Sequence, residues 1–129
     1  MVTKHTKSYS GFTLIELLVV MAIIATLLTI ALPRYFHSVD RSKEQVLKTN
    51  LNTMRDAIDK YYADKGHYPA SLDDLANGQY LKAIPTDPMT ESNTTWVGIA
   101  SKDANEAGVA DVQSGAQGTA SDNTAYSEW

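Results

Sequence analysis

Hydrophobic positions in this 129-residue chain follow two patterns with different periods. The first is a nearly unbroken run, "FTLIELLVVMAIIATLLTIAL" at 12–32, interrupted only by Thr13, Glu16, Thr26 and Thr29. As a helix it would reach about 31 Å, close to the hydrocarbon thickness of a bilayer. A helix buried in a soluble core would show a polar face, and this run has none. A cleaved secretory signal is the other competitor, with Thr29-Ile30-Ala31 as a small-x-small site. The run is longer than the core of such a signal, and a carboxylate inside it weakens that reading. The pattern therefore predicts a membrane-spanning helix.

The second pattern is amphipathic. Leu47, Leu51, Met54, Ile58 and Tyr61 recur at alternating spacings of four and three, which lays one apolar stripe along a helix running to about Ala63. Pro33 removes one backbone N–H between the two patterns and leaves the Thr29 carbonyl without its partner, so a kink or an opened turn is expected there before the helix resumes. The combined helix is expected over 12–63. Glu44 with Lys48, Arg55 with Asp59 and Asp56 with Lys60 are oppositely charged pairs four residues apart and are expected to decorate its surface.

Beyond Gly66, which ends the helix, the elements are short. Ser71 and Asp74 read as a capping box opening a helix over 72–76, stopped by Asn77-Gly78. Pro85 and Pro88 hold an extended turn. "TTWVGIAS" and "GVADVQS" are strand candidates joined by the polar loop 102–107, giving an antiparallel pair. Residues 64–129 are too few to build a sufficient core alone, so they are expected to pack on the apolar stripe. The fold class is α+β: a long N-terminal helix, membrane-spanning in its first half and amphipathic in its second, packed on a small antiparallel β-sheet head. Three regions follow: 1–11, 12–33, and 34–129.

Charge and composition narrow the function. The net charge is −4, and loss of Lys4 and Lys7 would make it −6, so the body of the chain offers no broad attraction to nucleic acid. There is no cysteine, hence no disulfide, thiol nucleophile or thiolate metal site. Lys4 and Lys7 on one side of the span face Arg34, Arg41, Lys43 and Lys48 on the other, which leaves orientation by loop charge undecided. His5, His37 and His67 are scattered, and the chain has no H-E-x-x-H, nucleophile elbow or glycine-rich phosphate loop, so nothing points to an enzyme. A monomeric membrane-anchored binding module has more to stand on than an enzyme. It predicts a chain that stays uncleaved.

Glu16 carries the remaining chemistry. A charge at the centre of a span costs about 2.5–3.5 kcal/mol, less near an end, and something should offset it. Cleavage after Gly11 would create an α-amine on Phe12, one helical turn away, able to pair with Glu16 in the same chain or a neighbour. Glu16 would then be an assembly contact. The alternative is a carboxylate that snorkels to the headgroups with no partner.

A short basic leader ending in Gly11, followed by Phe12-Thr13-Leu14-Ile15-Glu16-Leu17 and an apolar tail, resembles the signal of the type IV pilin and pseudopilin family. The resemblance implies cleavage of the leader, residues 1–11, and methylation of the Phe12 amine by a prepilin peptidase, with Glu16 needed for assembly. "YPASLDDLANGQYLKAIPTDPMT", Trp96, "DVQSG" and "YSEW" are more narrowly similar to the major pseudopilin of type II secretion. Absence of a cysteine-closed C-terminal loop favours a pseudopilin over a pilin. The resemblance implies a homopolymeric periplasmic filament with minor pseudopilins, stored in inner-membrane lipid and built by an inner-membrane assembly platform, that helps export folded proteins; no nucleic acid partner is expected. A type IV pilus subunit, serving adhesion, motility or DNA uptake, is the alternative. Major pseudopilins hold calcium in the C-terminal loop, and Asp122 is the candidate ligand here, although 114–129 holds only one other acid, Glu128, with Asp111 at the strand end. No EF-hand pattern is present.

Overall fold

A 52-residue helix, α1, runs over Leu14–Lys65 with Pro33 inside it. The computed structural model describes Thr3 and residues 11–129. The expected leader otherwise lies outside the described residues. α1 has the expected length but is displaced by two residues at each end, and each displacement has a local cause. At the start, Thr13 serves as N-cap: Glu16 N–H donates to Thr13 Oγ1 at 3.1 Å, and Thr13 N–H donates to Glu16 Oε2 at 3.4 Å. This reciprocal arrangement satisfies two amides that the first turn leaves without partners. At the end, Gly66 has φ 74° and its N–H donates to the Tyr62 carbonyl at 2.8 Å. That left-handed conformation is open to glycine at no steric cost and stops the helix.

The chain divides into two compact units, Met1–Ser38 and Val39–Trp129. In the first, every residue of 11–38 is exposed, including eleven successive positions from Leu17 to Leu27 of which only Thr26 is polar. The hydroxyls of Thr26 and Thr29 donate to the Ala22 and Ala25 carbonyls, each at 2.8 Å. Both threonines are thus satisfied within the helix, and the helix surface presents no unpaired hydroxyl to an apolar surrounding.

In the second unit the stripe on α1 becomes the core. Leu47, Leu51, Met54, Ala57 and Ile58 pack with Leu75, Leu81, Trp96 and Val112, while Tyr61 lies against the cluster half-buried. The residues after the helix supply less than half of this core, as their small number led us to expect. A short helix α2, Asp73–Asn77, brings in Leu75. Its expected capping box does not form. Leu72 is the N-cap and offers no side-chain bond, the Ser71 carbonyl accepts the Asp74 N–H, and the Asp74 carboxylate instead takes the Ala70 N–H at 3.0 Å.

The extended turn around Pro85 and Pro88 is fastened from several sides. Asn50 on α1 donates to the Thr86 carbonyl at 3.0 Å, and Trp96 Nε1 donates to the Pro85 carbonyl at 2.7 Å. Asp87 is fully buried and accepts from Ser114 Oγ at 2.5 Å and Met89 N–H at 2.8 Å. Strands β1, Val97–Ala100, and β2, Val109–Gln113, form the expected antiparallel pair, with Val97 opposite Gln113 and Ile99 opposite Asp111, and an irregularity between Ile99 and Ala100. A 3-10 turn, Tyr126–Glu128, follows. The entry to β2 is close-fitting: Val109 N–H donates to the Pro69 carbonyl at 2.8 Å, and Gly108, at φ 114°, would place a Cβ only 2.7 Å from that oxygen.

Candidate functional site

The residues singled out from sequence fall in two places. Gly11, Phe12 and Glu16 lie at the start of the first unit. Phe12 is 83% exposed, and in this uncut chain its nitrogen belongs to a peptide bond. Glu16 occupies the third position of α1, where its carboxylate closes the capping box with Thr13. A negative charge in the first turn also meets the positive end of the helix macrodipole. The chain therefore offers Glu16 a local use independent of any amine on Phe12. The signal for it, Thr-x-x-Glu ahead of an apolar run, is legible in "TLIE", and it places the carboxylate beside the point where a Phe12 amine would arise.

The second place is the C-terminal segment, held by side chains of α1. Glu44, 8% exposed, accepts the Ser121 N–H at 2.9 Å, the Ser121 hydroxyl at 2.8 Å and the Tyr126 hydroxyl at 3.3 Å. Burial pushes the Glu44 pKa up, but these hydrogen bonds outweigh it and hold the carboxyl below the usual glutamate range. Lys48 Nζ stands 4.6 Å from the Trp129 ring centroid, a cation–π contact. Arg55 donates through Nε to Asp111 Oδ1 at 2.8 Å, and through Nη2 to the Val112 carbonyl at 2.9 Å and to the Trp129 backbone oxygen.

These contacts correct the surface pairs expected on the helix. Only Asp56 with Lys60 forms, at 3.0 Å. Glu44 turns away from Lys48 because Ser121 and Tyr126 bring donors to a buried position, and Arg55 leaves Asp59 because Asp111 and two backbone oxygens suit its guanidinium fork better. The sequence holds no signal for either choice, since the partners lie 77 and 56 positions away.

Asp122 is turned inward on its own loop. Its Oδ1 accepts both the N–H and the hydroxyl of Thr124, and these bonds hold its pKa below the usual range. Asp111 is taken by Arg55, and Glu128 is exposed. Among the described residues no group of three or more His, Cys, Asp or Glu is placed to hold a metal ion. Calcium needs six to eight oxygen ligands, whereas the two carboxylates at this segment, Glu44 and Asp122, are each taken by hydrogen-bond donors, from Ser121 and Tyr126 and from Thr124. The residues present do not fit the ion. His67 is exposed, with Nδ1 3.0 Å from the Tyr68 carbonyl.

The family model of the prokaryotic N-terminal methylation motif matches residues 6–32, which contain Gly11, Phe12 and Glu16. The type II secretion system core protein G of Pseudomonas aeruginosa is 32% identical over 98 residues, covering 64% of this chain and 69% of that protein. The chain belongs to the type IV pilin and pseudopilin family. Pilins are also similar to it: fimbrial protein EcpC of Eikenella corrodens is 39% identical over 79 residues, 57% of this chain and 52% of that protein. The type IV major pilin protein PilA of Myxococcus xanthus is 43% identical over 58 residues, 45% of this chain and 26% of that protein. The chain thus spans about half or less of the length of these two pilins. No solved structure matches it. The methylation motif covers the apolar run and its single carboxylate.

Proposed function

We propose that this chain is a structural subunit of a type II secretion pseudopilus, a periplasmic filament that helps export folded proteins, and that it performs no catalytic step. One observation carries this reading: an apolar helix exposed along its whole surface from residue 14 to 32, with one carboxylate at its start. Such a surface needs lipid before assembly and neighbouring helices after it. Residues 12–32 then store the subunit in the inner membrane with its head in the periplasm. A prepilin peptidase cuts between Gly11 and Phe12 and methylates the new amine, which keeps its positive charge. An inner-membrane assembly platform packs the subunits, with minor pseudopilins, into a homopolymer. In the filament the Phe12 amine meets the Glu16 carboxylate of a neighbour. Several core proteins G of type II secretion systems among the relatives support this reading over its alternative.

The alternative, a subunit of a type IV pilus, draws on the higher identity to the Eikenella and Myxococcus pilins, concentrated in a shorter aligned stretch. Mass spectrometry of native filaments tests what both readings share: the subunit should lack residues 1–11 and begin with methylated Phe12. An intact Met1, or cleavage after Ala31, would overturn both. Deleting the gene separates them. Loss of protein export with surface pili retained supports the pseudopilus, and the opposite result supports the pilus.

A further inference from the structure

The C-terminal segment is fastened to α1 by three side chains spaced along one stretch of that helix. Glu44 takes the Ser121 amide and hydroxyl and the Tyr126 hydroxyl, Lys48 lies over the Trp129 ring, and Arg55 reaches the Trp129 backbone oxygen. Trp129 is in turn tied back to the loop by Nε1 donating to Thr124 Oγ1 at 2.6 Å, and Thr124 is held by Asp122. The segment is closed at its two ends by α1 and along its length by its own side chains. Both Glu44 oxygens are engaged, at 8% exposure. A cation placed there would have to displace the Ser121 donors from Glu44 and turn Asp122 away from Thr124.

We propose that residues 121–129 are closed onto α1 by the Glu44 carboxylate, without a divalent cation. The donors that meet Glu44 are neutral, so the clasp consists of charge-assisted hydrogen bonds, which are roughly twice as strong as neutral ones. Closure of the head is then set by the sequence of α1 and is indifferent to the divalent ions around it. The inference holds for a pilus or a pseudopilus subunit alike.

The test uses the full chain in detergent micelles, followed by thermal unfolding and by the rate at which a protease cuts within 118–129. The wild type should melt at the same temperature in excess EDTA and in millimolar calcium chloride. Glu44→Gln should lower the melting temperature in both and speed cleavage about tenfold, as expected from losing hydrogen bonds to a charged group. Ser121→Ala should act in the same direction, and the double variant should lose less than the sum of the two because the residues share contacts. Should Glu44→Gln fail to fold, Ser121→Ala carries the test alone. Asp122→Asn, which keeps an acceptor for Thr124 but drops a charge, should show no response to calcium. The proposal is overturned if EDTA lowers the wild-type melting temperature as much as Glu44→Gln does, if calcium raises it and Asp122→Asn removes that rise, or if Ser121→Ala leaves both melting and cleavage unchanged.

Discussion

Arg55 Nε lies 2.8 Å from Asp111 Oδ1, joining α1 to β2 across 56 positions of sequence. With side chains 34% and 48% exposed, the ion pair alone is worth about 0–1 kcal/mol. What distinguishes Arg55 is that the same guanidinium also serves the Val112 carbonyl and the Trp129 backbone oxygen, so α1, β2 and the last residue of the segment meet in one group. We expect Asp111→Asn to cost less than about 1 kcal/mol and Arg55→Ala about 1–3 kcal/mol, because only the second leaves these backbone oxygens without a donor. Denaturant unfolding of both variants checks this; equal losses would mean that the bonds to the backbone oxygens contribute nothing.

Glu16 is the capping partner of Thr13 and, under the proposed function, also a charge at the edge of the membrane. Glu16→Gln separates the two, since the amide oxygen still accepts the Thr13 N–H while the charge is gone. We expect membrane insertion and leader cleavage to continue and incorporation into filaments to fall sharply. In cells making both subunits equally, mass spectrometry of sheared filaments should show strong depletion of the variant. Equal incorporation would leave Glu16 as a helix cap alone.

The depressed pKa of Glu44 sets a pH dependence with a definite sign. Its carboxyl binds a proton less readily folded than unfolded, so the unfolded state takes up more protons as the medium turns acid. The stabilisation is complete above the usual glutamate range and is lost as pH falls through the lower folded-state value. Melting curves from about pH 3 to 7 should show this loss, and Glu44→Gln should flatten it. Parallel profiles for the two proteins would assign the acid lability to other carboxylates.

Gly108 combines φ 114° with a Cβ position 2.7 Å from the Pro69 oxygen. Gly108→Ala should therefore destabilise the head by about 1–3 kcal/mol, from backbone strain together with the displaced Val109–Pro69 hydrogen bond. Unfolding by denaturant measures it. A stable variant would show that this turn relaxes freely.

The shared core makes the head dependent on α1. A fragment beginning at Asp64 keeps Leu75, Leu81, Trp96 and Val112 but loses five core residues of the helix, and it should show no cooperative melt. Leu51→Ala in the full chain, at a position 1% exposed, should cost about 2–5 kcal/mol. A sharp transition in the fragment would refute the dependence.

Periodicity alone determined most of the architecture. The apolar run at 12–32, the stripe from Leu47 to Tyr61, the stop at Gly66 and the two strands could be read because each is a local property: hydrophobic spacing sets which face is buried, and glycine sets where a helix can turn left-handed. The Thr13–Glu16 cap is equally local and has a signal in "TLIE", but it was not among the uses expected for Glu16. What tertiary structure alone decided is which polar partner each helix residue takes. Glu44, Lys48 and Arg55 had partners of suitable charge one turn away, and that spacing favours surface pairs worth a few tenths of a kcal/mol. Folding brought Ser121, Tyr126, Asp111 and the backbone of Trp129 against the same face, where partial burial makes hydrogen bonds to a charge stronger and an unmet charge costlier. Contacts formed between residues so far apart in the chain leave no periodic trace in it, so the clasp on the C-terminal segment exists only in the folded molecule.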